Sequence, residues 1–123
     1  MSSRRFTVTA TTIADGSGTA YSPYLSGKVA AIYYTLVDFA AGVDFTITSE
    51  ATGETLWTEA NVNASTVRRP RGATHTTAGV ANLYAAGGTE VGDLIRLSRD
   101  RIKIVIAQGG NVKTGTFKIV IED

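Results

Sequence analysis

Cysteine is absent, which excludes disulfide bridges, thiolate metal sites and cysteine nucleophiles together. His75 is the single histidine, so a zinc ion would have to be held almost wholly by carboxylates, an unusual set for that metal. The acidic residues show no calcium-loop spacing. No apolar run approaches the roughly 18 residues of a membrane span, and Met1-Ser2-Ser3-Arg4-Arg5 has no apolar stretch of signal-peptide length. The expectation is a protein made in the cytoplasm, with no membrane partner. Neither sign of charge dominates, since 12 Lys and Arg stand against 11 Asp and Glu, and a net charge of +1 creates no global field that would draw in nucleic acid.

Motifs for phosphate or nucleophile chemistry are also missing. Gly27-Lys28 fails as a phosphate loop because Ser22 stands where a glycine is needed and Val29 where Ser or Thr is needed. Gly87-Gly88-Thr89-Glu90-Val91-Gly92 has the wrong spacing for a dinucleotide fingerprint and reads as turn glycines. Lys113-Thr114-Gly115 spells the third box of serine β-lactamases, but no Ser-x-x-Lys box accompanies it. A carboxylate pair for glycoside hydrolysis is defined in space rather than in sequence. Asp44, Glu50, Glu54 and Glu59 are better explained as the outward face and turn of a hairpin. The expectation is a binding or assembly protein with no catalytic residue, no cofactor and no metal.

What remains is a strand grammar. At 123 residues, with 43% hydrophobic and 19% charged residues, the chain has the composition of one folded domain. Its apolar segments are short, rich in Val, Ile, Thr, Tyr and Phe, and separated by 13 glycines and other turn residues. Val43, Phe45 and Ile47 alternate with polar residues, and the chain then reverses near Gly53. Leu56 and Thr58 next alternate with Thr55, Trp57 and Glu59, which predicts a hairpin. Ile102, Ile104 and Ile106 share one face with period two, as do Phe117, Ile119 and Ile121, and the two runs are expected to form a second hairpin and to meet in the core. Residues 28–37 are apolar on both faces, the mark of a central strand or of one covered by another subunit.

Residues 6–10 are expected as the first strand, after a basic N-terminal arm of residues 1–6 that carries Arg4 and Arg5. Residues 61–92 are the least regular, with short strands expected near 63–67 and 81–85. Residues 89–98 fit a helical turn or the start of a strand. The fold class is all-β, an antiparallel β-sandwich or jelly-roll-like single domain, with residues 7–123 forming the sandwich.

Charge is divided unevenly: residues 1–60 carry three basic and six acidic side chains, residues 61–123 nine and five. Arg68, Arg69 and Arg71 form the densest basic cluster, and guanidinium groups suit bidentate contact with carboxylate or phosphate. No aromatic residue interleaves residues 61–75, so an acidic protein surface is a better partner for them than nucleic acid, and a plain solvated loop is the other reading of the cluster. Trp57 and Tyr21, Tyr24, Tyr33, Tyr34 and Tyr84 are the residues a sugar-binding platform would need, although core and interface roles are commoner for them.

Three segments carry a family resemblance: Gly42-Val43-Asp44-Phe45-Thr46-Ile47-Thr48-Ser49-Glu50-Ala51-Thr52-Gly53, the Arg68-to-Gly72 loop, and Asp100-Arg101-Ile102-Lys103-Ile104-Val105-Ile106-Ala107-Gln108-Gly109-Gly110. Over residues 28–123 the chain resembles small proteins encoded among the head genes of tailed bacteriophages, and no residue of known role carries over. The resemblance implies a virion structural protein of the head decoration, or cement, type, located on the capsid surface after synthesis in the host cytoplasm. Such a protein binds the shell of major capsid protein subunits and stabilises the head, as a homo-oligomer with a trimer favoured. Arg4, Arg5, Arg68, Arg69 and Arg71 would then be partner-binding. A neck or tail component of the same virion, or a carbohydrate- or ligand-binding β-sandwich, are the alternatives.

Overall fold

The computed structural model describes residues 3–123, which form eleven strands and no helix. In chain order these are β1 (Ser3–Thr11), β2 (Gly18–Tyr21), β3 (Leu25–Leu36), β4 (Asp44–Ser49), β5 (Thr55–Glu59), β6 (Thr66–Arg68), β7 (Gly72–Ala73), β8 (Gly92–Asp93), β9 (Ile95–Asp100), β10 (Ile102–Ala107) and β11 (Thr114–Glu122). One sheet runs β1-β11-β3, where the long β3 pairs β9 through its first half and β6 through its second. The other runs β2-β10-β4-β5, and β7 with β8 makes a separate ribbon. All pairings are antiparallel. The result is a single all-β, sandwich-like domain with apolar side chains from both sheets between them.

Period-two patterning decides which face each strand buries. Phe45 and Ile47 on β4, Ile102, Ile104 and Ile106 on β10, and Phe117, Ile119 and Ile121 on β11 are all buried in one cluster, as their alternation predicted. Tyr34, Phe39, Phe45, Phe117 and Trp57 form its aromatic centre, with Phe45 meeting Tyr34, Trp57 and Phe117 edge to face at 4.7–5.3 Å between ring centroids. The hairpin of β4 and β5 forms with Gly53 at φ 74 in its turn.

Its alternation is broken at one point. Leu56 and Trp57 are both buried, because the register shifts between Ile47 and Thr48 and leaves Leu56 as the extra residue of a bulge. A second register shift, between Val120 and Ile121, makes Ala30 the extra residue on β3 and lets Val29 and Ile32 face the same core. The two apolar faces of residues 28–37 therefore have a local cause, one strand that changes face at a bulge.

Three expectations are corrected. β10 and β11 are not a hairpin: β10 lies between β2 and β4, β11 between β1 and β3, and residues 108–113 cross from one sheet to the other. Within that crossing the Gly109 N–H donates to Gly16 O, and the Gly109 carbonyl accepts from the Ala40 N–H. The two apolar faces meet across the core instead of side by side. Nor is there a free arm over residues 3–6, since β1 already pairs β11 from Ser3 opposite Glu122 onward; residues 1 and 2 lie outside the described residues. Residues 81–85 form no strand, whereas β6 lies close to the strand expected at 63–67, and residues 89–98 lead into β8 and β9 with no helical turn.

Candidate functional site

The five arginines expected to contact a partner do not form one surface. Arg4 and Arg5 are neighbours on a strand and so point to opposite faces. Arg4 closes the chain on itself: its Nη1 meets Asp123 Oδ1 at 2.9 Å and its Nη2 donates to Ser26 O. Arg5 points outward into a depression of about 360 Å³ lined also by Tyr33, Thr35, Lys118 and Val120, and it has no hydrogen bond or ion pair among the described residues.

Arg68 sits at the edge of its sheet opposite Ile32, whose side chain is in the core, so the guanidinium reaches inward and across to β5. There Nε and Nη2 donate to the two carboxylate oxygens of Glu59 at 2.8 and 2.9 Å, and Nη1 donates to Thr66 Oγ1 and Val67 O. The Trp57 indole N–H also donates to Glu59, and the Arg68 guanidinium lies 5.5 Å from the Trp57 ring centroid. Arg68, first of all, and then Trp57 hold the Glu59 carboxyl below the ordinary glutamate range. Trp57, Glu59 and Arg68 thus lace β5 to β6 across the open edge of the sandwich. Arg69 is exposed, Arg71 donates to Pro70 O, and neither has an ion-pair partner among the described residues.

Past Arg71 the chain leaves the sandwich. No member of the buried core lies between Val62 and Ile95. Three backbone hydrogen bonds of 2.8 Å close a ring at the root of this projection: Thr74 N–H to Val91 O, Val91 N–H to Asn82 O, and Asn82 N–H to Thr74 O. From that ring two small lobes extend, one turning at residues 76–79 and the other at 85–88. His75 pairs Ala81 in the first and Leu83 pairs Glu90 in the second. Val80, Leu83 and Tyr84 are exposed on them, Tyr84 at 76%. The Thr74 hydroxyl also donates to Val91 O and accepts from the Asn82 side-chain amide, so side chains brace the ring as well. The glycine-rich composition of this segment is visible in sequence, but the ring is not, because Thr74, Asn82 and Val91 meet only once the segment has folded.

A further cluster had no signal in the sequence, since its members come from three distant segments. Arg101 forms a bidentate pair with Glu50 at 2.7 and 3.0 Å, and its guanidinium stacks 4.0 Å from the Tyr21 ring centroid and 5.4 Å from that of Tyr24. Each group stabilises the charge of its partner: Arg101 lowers the Glu50 pKa and Glu50 raises that of Arg101. The remaining aromatics are scattered, with Trp57 and Tyr34 buried, Tyr33 on the opposite sheet and Tyr84 in the projection. Asp44 accepts from the Asn61 N–H, and no three His, Asp or Glu side chains among the described residues gather as metal ligands would. No family model, curated protein or solved structure matches the chain.

Proposed function

We propose that the protein is a structural assembly protein that decorates the capsid of a tailed bacteriophage, binding the shell of major capsid protein subunits and stabilising the head. The bacteriophage part of this reading rests on the sequence resemblance. The assembly part is carried by one observation, the projection of residues 74–91. It contributes nothing to the core, yet its two lobes are tied at a hydrogen-bonded root and expose Val80, Leu83 and Tyr84. Apolar side chains presented on an ordered loop lose little further entropy when a partner covers them, which is the economy of a preorganised contact. Arg69 and Arg71 at its base, without an ion pair among the described residues, add the capacity to meet carboxylates of the shell. Arg68 has no such capacity left, because Glu59 already holds it.

In this reading the protein acts as a homo-oligomer, a trimer, seated where capsid subunits meet. The test is reconstitution of particles that lack the protein, with occupancy measured by electron microscopy. Replacing Val80, Leu83 and Tyr84 together by serine should reduce occupancy by about tenfold or more, the loss of roughly 1.4 kcal/mol or more of binding energy, and leave the unfolding transition of the free protein unchanged. Wild-type occupancy by the variant, a map with the projection facing solvent, or localisation to a tail would overturn the proposal.

A further inference from the structure

We infer that the solvent face of the sheet formed by β1, β11, β3 and β9 is a second docking surface, built to receive an acidic segment of a protein partner. This face is separate from the projection and requires nothing of the capsid reading. Strand register places its residues. Val29, Ile95 and Ile121 face the core, so their neighbours Lys28, Arg96 and Glu122, which stand opposite one another across three strands, face outward. Arg5 stands opposite Val120, and Lys118 opposite both Thr7 and Tyr33, on the same outward side. The outward positions of these strands thus carry Arg5, Lys28, Arg96 and Lys118 against one acid, Glu122.

Three arginines elsewhere are neutralised within the chain, Arg4 by Asp123, Arg68 by Glu59 and Arg101 by Glu50. The four cations of this face make no hydrogen bond or ion pair among the described residues. Lys28 has Glu122 opposite it on one side but Arg96 on the other, and the like-charged Lys28–Arg96 placement works against strand pairing there. A cost to the isolated sheet is relieved when a partner supplies the missing carboxylates.

The depression beside Arg5 gives that partner a foothold. Its lining combines the cationic Arg5 and Lys118, the hydroxyl-bearing Tyr33 and Thr35, and the apolar Val120. At about 360 Å³ it has room for one or two carboxylate side chains of such a segment. Tyr33 is the single aromatic ring lining it, whereas single-stranded nucleic acid is held by successive stacking rings, so an acidic peptide fits this face better.

The experiment is an NMR titration of the full chain with end-blocked hexaglutamate, run at constant ionic strength beside hexaglutamine, sodium sulfate and an oligothymidylate. Saturable shifts centred on Arg5, Tyr33, Thr35, Lys118 and Val120 with hexaglutamate alone are expected. Arg5→Gln together with Lys118→Gln should weaken that binding by about tenfold, the effect of losing two charge-assisted contacts, without lowering the thermal midpoint. Equal shifts with hexaglutamine, saturation by sulfate at the same affinity, tighter binding of the oligothymidylate, or shifts centred on Arg69 and Arg71 would each overturn the assignment. No particle enters the titration, so its failure leaves the capsid reading standing, and failure of decoration leaves this surface standing.

Discussion

The ring of Tyr34 packs against Phe39, Phe45 and Phe117 in a residue only 2% exposed, and its buried hydroxyl has no hydrogen-bond partner among the described residues. A buried hydroxyl that has lost water without gaining a partner costs stability, so Tyr34→Phe should raise the unfolding free energy by about 1 kcal/mol in urea titrations. Burial also pushes the phenol up from 10.0 to about 12. A raised folded-state pKa stabilises fully below pH 10 and loses that contribution as pH climbs from 10 towards 12, so the phenylalanine variant should lack this part of the alkaline decline. Glu59 behaves in the opposite sense. Its folded-state pKa is lowered below 4.5 by Arg68 and Trp57, so its stabilisation is present above pH 4.5 and is lost as pH falls through the lowered value. The stability difference between wild type and Glu59→Gln should therefore shrink on acidification below pH 4.5. The burial of Ile102, Ile104 and Ile106 was legible from alternation alone, since only side-chain period is involved. The fate of Arg68 was not, because its partner Glu59 is brought close only by the closing of two sheets.

Among elements, β3 shows where pattern reading stops. Its residues announce a strand, but the bulge at Ala30 and the shift between Leu25 and Gly27 decide which of them face the core. Gly27 stands at that shift with φ 131, and a Cβ there would meet Glu122 O at 2.5 Å and Ile121 Cγ2 at 2.7 Å. Gly27→Ala should cost about 1–3 kcal/mol by overpacking, and more through its backbone strain, as measured by thermal and urea unfolding. β10 and β11 make the same point for topology. A hairpin and a crossing between sheets demand the same alternation from both strands, so the sequence pattern is blind to the choice. Residues 108–113 decide it, with Gln108, Gly110 and Val112 all at positive φ, a run of backbone turns that carries the chain across the core. β5 adds a smaller case, since a strict period of two leaves Trp57 outside and the bulge at Leu56 brings it in.

At the scale of the whole molecule, two surfaces are left over once the sandwich has been accounted for. One is the self-braced projection, the other the cationic face of the sheet. The first was visible in sequence as irregularity and the second was not visible at all, because Arg5, Lys28, Arg96 and Lys118 come together only through strand order. That order has a consequence in time. β1 and β11 bring Arg4 to Asp123 across 119 residues of chain, so this pairing must wait for the slowest loop closure in the molecule. A circular permutant that links residue 123 to residue 3 through a short linker and opens the chain after Gly79 would make that closure local. Every strand of the two large sheets, from β9 round to β6, would then follow in one continuous run, and about 2 kcal/mol of closure entropy would no longer oppose the β1–β11 contact. Stopped-flow refolding followed by the fluorescence of Trp57, the only tryptophan, should be several-fold faster in the permutant than in the parent. An unchanged rate at equal stability would show that β1 joins its neighbour only after the transition state has passed.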